Sequence, residues 1–104
     1  MEQYSKERLE ISLISKSYIN NKRIIRESEE NIIKRNYEDL RVCHRIVDHI
    51  ESVTSTLDEK ERLIIENEVI NGQSGKWYTE YFSAPTYYRQ RRKAYKSFLR
   101  CLEK

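Results

Sequence analysis

Ser83-Ala-Pro-Thr-Tyr-Tyr-Arg-Gln-Arg-Arg-Lys-Ala-Tyr-Lys-Ser-Phe-Leu-Arg-Cys-Leu-Glu-Lys104 reads as a basic helix with a defined start. Ser83 suits an N-cap, and Pro85 falls in the first turn, where a missing N–H costs nothing. Seven of these 22 residues are Lys or Arg, and only Glu103 opposes them, so the segment carries +6 in a chain of net +3. Tyr87, Ala94, Phe98 and Cys101 share one helical face, with Leu102 beside them. Thr86, Arg89, Arg92, Lys93 and Lys96 share the other. Positive charge concentrated on one face of one helix is the electrostatic footprint of a phosphate-backbone partner. A solvated surface helix would also carry charge, but a single-signed run behind a cap and a turn favours duplex DNA.

Working back from this helix, Trp77-Tyr78-Thr79-Glu80-Tyr81-Phe82 predicts a short aromatic helix over 76–82, with Trp77 as a core plug. Asn71-Gly72-Gln73-Ser74-Gly75 separates it from a helix over 57–70, and Gly72 suits a left-handed cap. The apolar stripe of that helix is Leu57, Ile64, Ile65 and Val69. In Thr56-Leu57-Asp58-Glu59, Thr56 and Glu59 can form a capping box at its start. Helix, connection, short helix, tight turn and basic helix is the order of a helix-turn-helix. The predicted hydrophobic centre of this unit is Leu57, Ile64, Ile65, Trp77, Phe82, Tyr87, Ala94 and Phe98. Tyr81, Tyr87 and Tyr95 are read as core aromatics rather than base-stackers.

Residues 1–56 balance ten basic against ten acidic side chains. Tyr4, Ile11, Tyr18 and Ile25 recur every seven residues, as do Ile33, Leu40 and Val47, the second series supported by Cys43 and Ile50. Sevenfold spacing marks helix faces that pack on other helices. It predicts helices near 4–26 and 30–55 that form a hairpin and also offer a surface for a homodimer. The break is placed near 27–30, with Asn20-Asn21 as a second candidate, because Asn and Ser compete for backbone hydrogen bonds. The reading is therefore an all-α chain: an N-terminal helical hairpin over 1–55, then a helix-turn-helix unit over 56–104.

Composition narrows the functional classes. Two Gly and one Pro leave little material for an all-β fold. No apolar run approaches the ~20 residues of a membrane span, so no membrane partner is expected. Cys43 and Cys101 show no metal-ligand spacing and fit a reduced, cytoplasmic setting. His44 and His49 are five residues apart, which does not align them on one helix face for metal binding. No Gly-rich phosphate loop or nucleophile signature is present, so neither a catalytic residue nor a cofactor is assigned.

Leu57-Asp-Glu-Lys-Glu-Arg-Leu-Ile-Ile65, the aromatic segment, and Ser83, then Thr86-Tyr87-Tyr88-Arg89-x-Arg91-x-x-Ala94 with Phe98-Leu99 resemble the C-terminal half of the ArpU-type transcriptional regulators of phages and mobile elements. Their helix-turn-helix is similar to region 4 of bacterial sigma factors, and a similar arrangement occurs in a mycoplasma-type family. The match covers about residues 56–102. It departs in a short, Gly-containing connection before Trp77, and the N-terminal half matches only in being helical. The resemblance implies sequence-specific DNA binding and transcriptional control, with RNA polymerase as a further partner, and no enzymatic activity. On this reading Thr86, Tyr88, Arg89 and Arg92 meet base edges, while Lys93, Lys96 and Lys76, with Tyr78, hold the backbone. The competing reading is a helical interaction module that docks on RNA polymerase or another factor without touching DNA. RNA binding is a third.

Overall fold

The computed structural model of the protein describes residues 2–30 and 37–104, with side chains from Ser5 onward. Its elements are α1 (Glu2–Glu29), α2 (Tyr37–Thr56), α3 (Glu59–Ile65) and α4 (Ala84–Leu102). A π-helical turn, Glu66–Ile70, extends α3, and a 3₁₀ turn, Trp77–Glu80, precedes α4. The described residues are all-α and contain no strand.

The heptads of α1 and α2 do what their period requires. Ile11, Tyr18 and Ile25 bury on α1, and Cys43, Val47 and Ile50 bury on α2, so the two helices pack along one another. Tyr4 and Ile33, which complete the two series, fall outside the described side chains. Two short links fasten the pair: the Tyr18 hydroxyl donates to Glu51 at 2.5 Å, and Lys22 Nζ lies 3.5 Å from the same carboxylate. α1 ends at Glu29, inside the expected break at 27–30. Its last turns carry Arg23–Glu27 and Arg26–Glu30 pairs at i,i+4, which favour continued helix. Asn21, the other candidate break, stays helical because its side-chain amide donates back to the Ser17 carbonyl at 2.7 Å.

The start of α3 corrects the capping expectation. Thr56 belongs to the last turn of α2, where its hydroxyl donates to the Val53 carbonyl at 2.7 Å. Asp58 is the N-cap, and its carboxylate accepts from the Glu61 amide at 2.9 Å. Glu61 does not close a reciprocal box: its Oε2 accepts instead from Ser97 Oγ at 3.0 Å, joining α3 to α4. Between these helices Ile64, Ile65, Val69, Ala94 and Phe98 lose all contact with solvent. Ala94 is small where α3 and α4 approach each other.

One core runs through the whole molecule, from Ile11 and Tyr18 through Val47 and Ile64 to Phe98. Two contacts seat α1 on the far side of α3. Ser15 Oγ donates to the Val69 carbonyl at 2.8 Å, and the Ile19 side chain closes over Gly72. Gly72 has φ of 63°, as expected of a left-handed cap, and a Cβ there would stand 2.8 Å from Ile19 Cδ1. The backbone angle favours glycine, and any Cβ there would also push the end of the Ile19 side chain aside. Cys43 is buried, Cys101 is half-buried, and both are free thiols. His44 is exposed, while His49 Nε2 donates to the Leu102 carbonyl at 2.9 Å and ties α2 to the end of α4.

Candidate nucleic-acid interface

Ser83 begins α4 with extended angles (φ −69°, ψ 159°). Its hydroxyl bonds the Thr86 hydroxyl at 3.0 Å rather than a backbone amide, so the cap and the first candidate base-reading residue hold each other. Thr86 is half-buried. Tyr88, Arg89, Arg92, Lys93 and Lys96 are exposed. At ~100° per residue, Arg89, Arg92, Lys93, Lys96 and Arg100 fall within roughly 100° of one another around the axis. Tyr87 and Phe98 project from the opposite side into the core. Tyr88, Arg89, Arg91 and Arg92 enclose a shallow recess of about 360 Å³ on the N-terminal half of the helix.

The C-terminal half differs. There Lys96 and Arg100 line a groove with Lys6, Glu7 and Glu10 of α1 and with Glu103. Carboxylates thus stand beside this part of the stripe. Lys76 is exposed and immediately precedes the 3₁₀ turn, where its carbonyl accepts from Thr79 Oγ1 at 3.0 Å.

The expected helix over 76–82 is this single 3₁₀ turn. Gly75 enters it at φ of 78°, and the Tyr81 and Phe82 amides both bond the Tyr78 carbonyl. Two glycine-kinked residues upstream and a run of aromatic and β-branched side chains give a longer helix little propensity. Two residue assignments change with it. Tyr78 is buried and stacks on Tyr87, with ring centroids 3.8 Å apart and planes 2° from parallel, so it is no backbone-holding residue. Tyr81, expected in the core, is 58% exposed, because the turn ends before it. Trp77 is half-buried rather than a central plug, packed at the core margin with its ring edge-on to Tyr87 at 5.9 Å.

Sequence reasoning missed the residue that organises this face. Glu68, in the π turn, accepts from Trp77 Nε1 at 3.0 Å and from the hydroxyls of Tyr87 and Tyr95. Arg91 completes the cluster: its guanidinium lies 5.2, 5.0 and 5.8 Å from the ring centroids of Tyr87, Tyr88 and Tyr95. Burial, then the Glu68 carboxylate, pushes both phenol pKa values up, against a smaller opposing pull from Arg91. These tyrosines stay protonated and act as donors. The signal was present, since Glu68 follows Ile64 by four residues and Ile65 by three, on the core-facing side of α3. Its partners, however, come from two other elements.

Compared with protein-family models, with curated proteins and with solved structures, the chain matches none.

Proposed function

We propose that this protein binds duplex DNA and regulates transcription through α4, in the manner of a helix-turn-helix. The observation that carries the reading is the exposed cationic face of α4, set opposite Tyr87 and Phe98. The first two turns enter the major groove. Arg89 and Arg92 suit bidentate contact with guanine, while Thr86 and Tyr88 touch phosphate or a thymine methyl. Lys93, Lys76 and Lys96 meet phosphates as point charges. Lys96 contributes least, because Glu7 and Glu10 stand beside it.

The test is selection of bound sequences from random duplex DNA, followed by salt titration on the selected site. Affinity should fall steeply with salt as counterions are released. Arg89→Ala should cost roughly 1–3 kcal/mol on that site and relax preference at one position. Lys93→Ala should weaken all sequences alike and lower the salt slope by about one.

A second reading, docking on RNA polymerase or another protein factor, draws on a different observation. Leu9 and Leu13 of α1 are 60% and 56% exposed, one helical turn apart, on the side of α1 opposite Ile11 and Tyr18. The same face suits the homodimer. Polymerase binding that survives Arg89→Ala and Lys93→Ala, with no duplex selected, would favour docking; a monomeric mass with and without DNA would remove the dimer.

A further inference from the structure

Between α1, the Gly72–Gly75 turn and the inner side of α4 lies a cleft of about 370 Å³. It lies on the inner side of α4, and the cation that α4 contributes is Arg91, which also borders the recess beside Tyr88, Arg89 and Arg92. Among the described residues, three cations line it, Arg8 and Lys16 from α1 and Arg91 from α4, against one carboxylate, Glu68. Both oxygens of Glu68 already accept bonds from the Trp77, Tyr87 and Tyr95 donors, so its lone pairs are turned toward those groups. The cleft keeps a formal surplus of two positive charges, three cations less one carboxylate. Its volume lies in the range of small-ligand sites, roughly 300–1,000 Å³.

Preorganisation strengthens the case. Arg91 is half-buried and held by three tyrosine rings, with Nη1 3.4 Å from the Tyr87 hydroxyl. A guanidinium fixed in this way loses little freedom when it meets an anion, and its planar fork matches two oxygens of a phosphoryl group. Ser12 and Ser74 add hydroxyls to the walls, and the Tyr95 ring flanks the floor.

We propose that this cleft binds a small phosphorylated ligand, with Arg91 holding the phosphoryl group and Arg8 and Lys16 closing over it from α1. A phosphate monoester carries about −1.5 to −2 charges at neutral pH, which matches the surplus. Because Tyr87, Arg91 and Tyr95 belong to α4, an occupied cleft braces the inner side of the helix whose outer side is basic.

The test uses the full chain without DNA, with pyrophosphate as the probe and chloride at equal ionic strength as the reference. Pyrophosphate at about tenfold its Kd should raise the thermal midpoint by about 6 °C. The double variant Arg8→Gln/Lys16→Gln should lose most of that rise. Both side chains are exposed on α1, so the variant keeps the fold. Arg89→Gln/Lys93→Gln, on the outer face of α4, should keep the rise. The proposal is overturned by no rise in the unaltered chain, by an equal rise in the α1 variant, or by loss confined to the outer-face variant. Since DNA is absent, none of these outcomes depends on the DNA reading.

Discussion

The α1–α2 pair and the α3–α4 unit each bury tyrosine against glutamate, and they do it differently. In the first, Tyr18 gives its hydroxyl to Glu51, a carboxylate still half in water and shared with Lys22. In the second, half-buried Glu68 receives three donors, from the 3₁₀ turn and from two turns of α4. The first link is local to two helices that already pack by their heptads. The second determines where the aromatic turn and α4 stand relative to α3. A surface ion pair contributes little, whereas the hydroxyls of buried Tyr87 and Tyr95 would be left with their full desolvation cost on losing their acceptor.

The largest expected effect is on packing in the second region. Phe98→Ala should destabilise by roughly 3–5 kcal/mol, since Phe98 is fully buried. In a chain of this size that lowers the thermal midpoint by more than about 12 °C. An unchanged midpoint would mean that α3 and α4 are not held by this face.

Next come the two carboxylates. Glu68→Ala should cost roughly 2–4 kcal/mol in urea denaturation, because three donors lose their acceptor, and Glu51→Ala should cost under about 1 kcal/mol. Equal costs would erase the contrast between the regions.

The tyrosines give a pH test whose sign follows from their shifts. Burial raises the pKa of Tyr18, Tyr87 and Tyr95 in the folded chain, with a nearby carboxylate adding to it. Their contribution is therefore complete below the unfolded tyrosine pKa of ~10 and is lost as pH climbs past it. Stability should be level up to about pH 9 and fall at pH 10–11. Tyr87→Phe/Tyr95→Phe should flatten that fall about twice as much as Tyr18→Phe. A fall that is as steep in the double variant as in the unaltered chain would break the assignment.

A further pair of substitutions tests the junction between the regions. Gly75→Ala should cost about 1–2 kcal/mol for its left-handed backbone alone, since its Cβ would meet open space. Gly72→Ala carries the same backbone cost and also displaces Ile19, so it should be the more damaging of the two. The reverse order, measured by denaturation, would detach α1 from the turn.

What was legible followed from periodicity and punctuation. Ile11, Tyr18, Val47, Ile64, Ile65, Ala94 and Phe98 declared their burial by spacing, and Gly72 declared its angle. The basic face of α4 was legible for the same reason. The misreadings lie where side chains from separate elements decide. Thr56 and Asp58 are both good caps, and only the burial of Leu57 between them shows which helix each serves. The aromatic run 77–82 has helical content, yet its length is set by Trp77 reaching Glu68 and by Tyr78 stacking on Tyr87. The carboxylates beside Lys96 come from α1, roughly ninety positions earlier in the chain, so no local pattern announces them.

The π turn at Glu66–Ile70 has a consequence for how this chain tolerates change in length. Such a turn is an α-helix holding one residue more than its ladder needs. Removing any one residue between Ile65 and Asn71 would let the ladder close regularly, at little local cost. The residue removed is the one that the wider turn absorbs, so everything beyond would keep its phase and Gly72 its place beside Ile19. A residue lost from the regular turns of α3 would instead rotate everything beyond it by ~100° and misaim α4; the π turn is where this chain tolerates a change in length.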